Sequence, residues 1–494
     1  MQTSLDLDLF ATESGTVQVP GLTQAVHYST ITPGALPGGE RGRLNIENRG
    51  LMASVGLVAG THVRPEFGAD FIFIRRVRKA AADTLQIAPK NYPNRDGSVS
   101  IGGRIDLRRT QVAELFGEEK RLVVAYFQEG VLITLLPTRQ KARERWHSLL
   151  RAAATGNITT GSAYSGIGTL DAAVHDGLEK AGFSVEALFA EDVWPEAVEA
   201  MLQDNPARPK TAAALPIEEF VAVAGERRAP HVLVLGVPCK GASKLNIRDR
   251  QQPELHPIAG HQVLNVAMLL QALRFAPAIL LIENVTAWAD TVSCAMLRRV
   301  LEEQGYATLL VGGRDKDGKY TGLNGSDYGD MERRKRMALL AVPPQLAEKL
   351  DFTQMRQMSG LRTVADIRAN EATIDAKAYE WTGNIAAKAA RGFPNKIVKN
   401  GARTTPVLSS TLHKRRPEDP KVEHPTDPKK FRLPTPEEHA RIKGQPESLI
   451  RSLTFDSVAH IALGNGTTRK VWSELFRVIG EAISACAGED LSLA

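Results

Sequence analysis

From about residue 160 onward, short apolar runs alternate with segments of helical periodicity: Val185 to Phe189, Val232 to Leu235, Ala278 to Ile282, Ala307 to Val311 and Met337 to Val342. Runs this short suit strands buried on both faces better than buried helices, and the helical segments between them suit crossover connections. The pattern predicts an α/β domain with a mainly parallel sheet, read here as residues 160–345. In such a sheet, reactive groups collect beyond the carboxyl ends of the strands, so those ends are where chemistry should be sought. At 43% hydrophobic and 24% charged residues the composition is ordinary for a globular chain, which excludes a disordered or collagen-like protein.

The first third carries an ungapped repeat. Gly42/Gly103, Arg43/Arg104, Leu44/Ile105, Ile46/Leu107, Gly56/Gly117 and Val63/Val124 all stand 61 residues apart. The same shift sets Phe71-Ile72-Phe73-Ile74 on Leu132-Ile133-Thr134-Leu135. Each unit reads as a short strand, a helical turn closed by a glycine, and two more strands; one unit alone leaves an apolar face uncovered, so the two should pair. Residues 40–137 are read as a duplicated small β-barrel after a tail over 1–39. The pattern resembles the swapped-hairpin barrels of the AbrB and MraZ type, in which two copies assemble one DNA-binding unit.

Residues 138–159 read as a basic linker helix with a solvated surface. Residues 346–430 lose the strand–helix alternation and become rich in Pro, Gly and Lys/Arg, a separate small region. Between Lys388 and Arg432 twelve Lys/Arg face four Asp/Glu, a net +8 against +6 for the whole chain. Such a concentration suits phosphate contact. Residues 431–494 complete the α/β domain, with an apolar strand-like run and then a helix between Leu453 and Cys486. The three cysteines (Cys239, Cys294, Cys486) form no CxxC pair, which supports neither a disulfide framework nor a thiolate metal site and points to a reducing compartment. No export signal and no membrane span are expected; the location read from this is cytoplasmic, with nucleoid association.

Four strand ends carry candidate chemistry. Tyr164-Ser165-Gly166-Ile167-Gly168 is a glycine turn between a strand and a helix, where backbone amides can face a nucleotide-like ligand. Asp171 stands where GxGxxG needs a glycine, so the dinucleotide fingerprint fails and hydride transfer is disfavoured. The next strand ends in Glu191-Asp192, where a carboxylate can accept from two ribose hydroxyls, with Trp194 placed to stack on adenine. The strand Val232 to Leu235 opens into Gly236-Val237-Pro238-Cys239, putting a cysteine at a reactive edge with Lys240 beside it to favour the thiolate. Cys294 and Cys486 lie on helical patterns and read as small core residues. One strand later, Glu283 follows Ile279 to Ile282.

In order and spacing these residues resemble the cytosine C5 DNA methyltransferases that use S-adenosylmethionine. Tyr164 to Gly168 is similar to that family's first motif, Pro238-Cys239 to its nucleophile loop, Glu283-Asn284-Val285 to its ENV motif, and Tyr328 to Arg336 to its QxRxR segment. Thr435 to Arg441 with Gly444 and Pro446 resembles the stretch after the target-recognition region, and Gly464-Asn465-Gly466 the closing GN motif. The resemblance implies a Rossmann-like methyltransferase sheet with a small target-recognition domain over 346–430. Cys239 would add to C6 of cytosine, Glu283 would hold N3 and the exocyclic amine, and Arg336, supported by Arg334, would hold the O2 edge. Tyr164, Gly166, Gly168, Glu191 or Asp192, Trp194, Pro238 and Asn465 would bind the cofactor. Ser243, Thr411, Leu412, Lys414, Arg415 and Arg416 would meet double-stranded DNA, from which the target base is flipped. No metal is implied.

The chain departs from the family pattern at Lys240 and Thr169, at Met331-Glu332 where Pro-Gln is usual, and in lacking an adenine-contacting Asp near Ala212 to Ile217. Two other readings stand beside this one: a non-enzymatic DNA-binding regulator with a vestigial methyltransferase body, and an RNA cytosine methyltransferase.

Overall fold

The structure is a computed structural model that describes residues 27–35, 42–117, 119–224, 229–243, 253–358, 360, 362–380 and 396–493. The chain divides into two compact units, 1–141 and 142–494.

In the first unit the sequence repeat is a structural repeat. Strand β1 (His27–Ile31) precedes β2 (Arg43–Ile46), α1 (Arg49–Ser54), β3 (His62–Phe67) and β4 (Phe71–Val77). After two connecting strands, β5 (Leu85–Gln86) and β6 (Ala88–Pro93), the pattern returns as β7 (Val99–Arg108), α2 (Thr110–Phe116), β8 (Leu122–Phe127) and β9 (Gly130–Leu135). Equivalent strands pair with each other: β2 on β7 sets Asn45 opposite Asp106, and β4 on β9 sets Ile72 opposite Ile133. Both pairs are repeat-equivalent positions, so a local pseudo-twofold axis passes between the copies. The elements form a six-stranded sheet, β1-β8-β9-β4-β3-β5, and a three-stranded one, β2-β7-β6. Leu44, Ile46, Val63, Ile72, Leu107, Val124 and Ile133 fill the core they share. The expected tail over 1–39 is corrected in part: residues 27–31 are a sheet strand paired with β8.

The second unit begins inside α3 (Pro137–Ala154), whose first residues belong to the first. The solvated linker expected here is not what forms. Leu149 is fully buried, and the Arg145 guanidinium lies 3.9 Å from the Tyr306 ring centroid while donating to the Phe275 and Gln304 carbonyls. Two carbonyls and a ring face let this cation be buried without a bound acid, although its Nε keeps no hydrogen bond. Such a residue is indistinguishable by composition from a surface arginine.

The sheet that follows uses all five predicted runs. In chain order come β10 (Asn157–Ala163), α4 (Thr169–Lys180), β11 (Ser184–Asp192), α5 (Pro195–Asp204), β12 (Thr211–Ala214), α6 (Ile217–Ala224) and β13 (Val232–Leu235). They are followed by α7 (Gln262–Ala272), β14 (Ile279–Asn284), α8 (Val292–Glu303), β15 (Ala307–Val311), β16 (Gly313–Arg314), β17 (Tyr320–Asn324) and β18 (Lys335–Val342). Strands β12-β11-β10-β13-β14 are parallel, and β18 runs antiparallel between β14 and β15. Side chains alternate across the sheet as strand geometry requires. Val232, Val234 and Leu281 face one helix layer with Trp472 and Phe476, while Leu233, Leu235 and Ile282 face the other with Phe220 and Leu269. Cys294 and Cys486 are buried on helices, as their patterns predict.

The region after β18 is built of short turns and a small sheet, β19 (Ile397–Val398), β20 (Lys421–Glu423) and β21 (Phe431–Arg432). The apolar run after Leu453, expected as a strand, is the helix Asp456–Asn465. The last helix, Lys470–Leu493, packs on α4; Gly177 permits this, since a Cβ there would lie 2.4 Å from the Ser473 carbonyl oxygen. Among the described residues no helix is long and apolar enough to cross a membrane.

Candidate active site

Parallel register puts the candidate residues at one edge. Ala163 on β10 is level with Glu191 on β11 and Leu235 on β13, and Leu235 is level with Ile282 on β14. The chain beyond each of these positions therefore enters a common crevice.

On the β10–β11 side, Tyr164 has a left-handed φ of 54°, costly for a residue with a side chain. The strain is held by Glu191, whose Oε2 accepts the Tyr164 N–H at 3.1 Å, while its carbonyl accepts from the Ser165 backbone N–H and hydroxyl, each at 2.9 Å. Asp192 is fully committed: Oδ2 accepts from Gly166 N–H at 2.7 Å and Oδ1 from Trp194 N–H at 2.9 Å, closing the start of α5. Among the described residues, only one oxygen of Glu191 is engaged. Burial pushes the Glu191 carboxyl up to about 8. Gly168 caps α4 with φ 74°, and a Cβ there would meet Asn205 Nδ2 at 2.2 Å. By contrast nothing lies within 4 Å of a Cβ at Gly166, so the turn opens on free space there. Trp194 is half-buried at the start of α5, packed against the cluster of Ile167, Ala197 and Leu449.

The departure at Thr169 has a physical account. Its hydroxyl accepts the Thr467 N–H at 3.0 Å, its carbonyl accepts from Gln445 Nε2, and a Cβ at Gly466 would strike its side chain at 2.6 Å. The Gly464-Asn465-Gly466 stretch thus closes over the glycine turn, with Asn465 exposed.

On the β13–β14 side, Gly236 passes the turn closely; a Cβ would lie 2.8 Å from the Tyr164 carbonyl oxygen. Pro238 and Cys239 are half-buried. Cys239's carbonyl receives the Ala242 and Ser243 N–H groups, which folds the loop back on itself at Ser243. Asn284 Nδ2 donates to the Val237 carbonyl at 3.1 Å, tying this loop to the end of β14. Arg336, at the start of β18, brings Nε to 2.8 Å from Glu283 Oε1. That is an ion-pair distance outside hydrogen-bond geometry, so this buried oxygen keeps an unfilled acceptor. Burial pushes the Cys239 thiol up; Arg336 opposes this most, Arg334 less, and Glu283 adds to it. The cations that oppose burial at the sulfur are these arginines from β18 and its approach, where the sequence pointed to Lys240.

Arg334 is buried, donating Nη2 to the Gly464 carbonyl at 3.0 Å. It sits 3.8 Å from Glu332, which Lys443 meets at 2.6 Å, both wholly buried. Sequence reading missed Lys443. The signal was available in Glu332, since a carboxylate where a neutral side chain is usual calls for a cation.

In the region 346–430 the expected DNA-contacting set divides. Leu412 is wholly buried with Val364, Ile367, Leu408 and Val422, which corrects its expected place among the DNA-contacting residues. Arg416 is bound to Asp419, Glu418 and the Thr411 hydroxyl, while Lys414 and Arg415 are exposed. The net +8 overstates the basic surface: Lys421 is buried on three carbonyls and Arg432 between Glu438 and Glu371. Lys388 and Arg391 lie outside the described residues.

No curated protein matches the chain. The solved structure of the S. pombe Dnmt2 methyltransferase is 18% identical, covering 65% of this chain and 98% of that one at a TM-score of 0.47. The Entamoeba histolytica methyltransferase EhMeth is 16% identical, with 65% and 98% covered at 0.50. A putative DNA modification methyltransferase encoded in an E. coli prophage is 16% identical, with 68% and 100% covered at 0.40. At 16% identity the likeness to EhMeth speaks to the fold alone. Residues 158–483, more than half of the sequence, match the C-5 cytosine-specific DNA methylase family, and the chain belongs to that family.

Proposed function

We propose that the protein methylates C5 of cytosine in duplex DNA, with Cys239 as nucleophile, Glu283 as acid and Arg336 as the clamp on the O2 edge. The observation that carries the reading is the convergence of a half-buried thiol with the Glu283–Arg336 pair at one sheet edge. Cytosine C5 is a poor nucleophile. Addition of the Cys239 thiolate at C6, with protonation at N3 by Glu283, makes C5 an enamine carbon able to take an electrophile. S-adenosylmethionine, the methyl donor of this family, supplies the methyl cation when bound. Loss of the C5 proton to water then expels the thiolate, and return of the N3 proton to Glu283 restores the neutral aromatic ring. Arg336 offers fixed positive charge where the addition step places negative charge.

The residues of the glycine turn fit the donor. Glu191 has an oxygen to offer the ribose hydroxyls and a charge to offset a sulfonium, whereas both oxygens of Asp192 hold backbone. This favours Glu191 for the ribose, with Tyr164, Gly166, Gly168, Trp194, Pro238 and Asn465 around the rest. A base stacked in a duplex cannot offer C6 to a thiol, so the target is flipped. Residues 346–430 then act as the target-recognition region, through Thr411, Lys414 and Arg415, with Ser243 near the extruded base. The duplicated N-terminal unit is assigned a second DNA contact on its likeness to paired-copy barrels.

Transfer of tritiated methyl groups tests this directly, with duplex DNA and tRNA as alternative acceptors and Cys239→Ser as the control. Incorporation into DNA that Cys239→Ser abolishes is expected. Preference for tRNA would move the protein to the RNA reading, and equal incorporation by the variant would end the nucleophile assignment.

A further inference from the structure

The approach to β18 holds an arrangement the chemistry above does not use. Glu332 and Lys443 are both wholly buried, with Nζ 2.6 Å from Oε2. Three segments meet on this carboxylate. Leu408, from the region 346–430, donates its N–H to Oε1 at 2.7 Å. Lys443 follows the helix Pro436–Ile442, whose last carbonyl accepts from the Met331 and Glu332 N–H groups. Arg334 lies two residues on, with Nη1 3.8 Å from Oε1. The same stretch is stitched to the recognition region by Thr405, whose N–H donates to Met331 and whose carbonyl accepts from Arg333.

The charges read in one line: Glu283, Arg336, Arg334, Glu332, Lys443. Two guanidiniums of like charge stand near each other in a buried setting, and Arg336's field depresses Arg334 after burial does. Glu332 is the anion that most offsets this for Arg334, and Lys443 is the cation that does most to keep Glu332 ionised against burial. Fold stability does not by itself account for such a pair, because well-packed neutral side chains commonly serve as well in a buried site.

Resting on the catalytic reading above, we propose that Glu332 and Lys443 are a positioning couple: together they set Arg334, and through it Arg336, at the pyrimidine, and tie that placement to the Leu408 segment of the recognition region. Neither touches substrate. Removing one charge should misplace the guanidiniums, whereas removing both should largely restore them.

The test uses the full chain, 5-fluorocytosine-containing duplex DNA and S-adenosylmethionine. Glu332→Gln and Lys443→Gln should each slow single-turnover adduct formation by ~10- to 100-fold, the scale of a small misplacement of catalytic groups, with cofactor affinity nearly unchanged. The double variant should recover most of the rate. Wild-type rates in the single variants, or a double variant as slow as the two losses multiplied, would overturn the proposal. If the single variants do not fold, the exchanged pair, Glu332→Lys with Lys443→Glu, decides. It keeps an ion pair but sets an ammonium beside Arg334, so a folded protein slowed at least about tenfold supports positioning, and a wild-type rate refutes it. Absence of any adduct in the wild type would instead count against the catalytic reading.

Discussion

Arg336 Nε and Glu283 Oε1 stand 2.8 Å apart where β18 runs antiparallel to β14, Glu283 lying in the ladder opposite Ala338 and Arg336 one residue outside it, next to Met337. The pairing makes the two side chains a single unit, an acid and a cation sharing one edge with the Cys239 sulfur. Lysine cannot replace the planar fork of the guanidinium. Arg336→Lys should therefore lower the turnover rate by ~10²-fold, the loss typical of removing one preorganised donor, with cofactor affinity unchanged in equilibrium dialysis.

The thiol itself supplies a pH dependence. Burial raises the Cys239 pKa, so the thiolate is scarce at neutral pH and its population grows as pH rises. Adduct formation with 5-fluorocytosine DNA should accelerate steadily from pH 6.5 to 8.5, by ~10-fold per unit, the slope of a single deprotonation well below its pKa. A flat profile would show that another group limits the step.

Glu191 predicts proton release on cofactor binding. With its carboxyl raised to about 8, it is mostly protonated in the free protein at neutral pH, and a cationic ligand favours the ionised form. Affinity for S-adenosylmethionine should rise as pH approaches 8, and titration calorimetry in buffers of different ionisation enthalpy should register the released proton. Glu191→Gln should abolish that release and weaken binding by ~10-fold, the scale of one missing charge-assisted hydrogen bond.

The exposed cations of the proposed recognition region are separable from the structural ones. Lys414→Ala with Arg415→Ala should reduce the salt slope of duplex binding by roughly one to two, one for each phosphate no longer neutralised. Arg416→Ala should instead lower thermal stability, since its partners Asp419 and Glu418 lose their cation. Fluorescence anisotropy across a salt series, beside thermal unfolding, distinguishes the two effects.

In the first unit, Arg43 grips Asp106 through two hydrogen bonds of 2.8 and 2.9 Å, holding its carboxyl at about 2. A depressed carboxylate stabilises the fold above its ordinary titration range and ceases to do so as pH falls through the lowered value. Asp106→Asn should therefore cost about 1 kcal/mol near neutrality, allowing for solvent screening, and progressively less toward pH 2, as read by thermal unfolding.

Much of this fold was legible because burial leaves a plain mark on composition. Each of the five apolar runs became a strand; parallel register aligned the ends that carry the cysteine and the glutamate, and antiparallel pairing of β18 on β14 brought the arginine at its start to the same edge. What was not legible depends on partners distant in sequence. Asp192 looks as able to bind a ribose as Glu191 until its two backbone donors are seen. Arg145, Lys421 and Arg432 count as surface charge in any tally, yet each is buried on carbonyls, a ring or acids that only the folded chain assembles. The run after Leu453 is apolar enough for a strand, yet it forms a helix whose Ala459, Ala462 and Leu463 pack with the distant Ile167 and Ala197.

The pseudo-twofold in the first unit has already been broken at its centre. The mate of the Arg43–Asp106 grip is Arg104 with Asn45, where an amide replaces the acid and both Arg104 Nε and Asn45 Oδ1 are left without hydrogen bonds. Two identical subunits cannot diverge in this way, because every substitution appears twice. Fusing the halves into one polypeptide releases each from copying the other, so the DNA site proposed for this unit need not be palindromic.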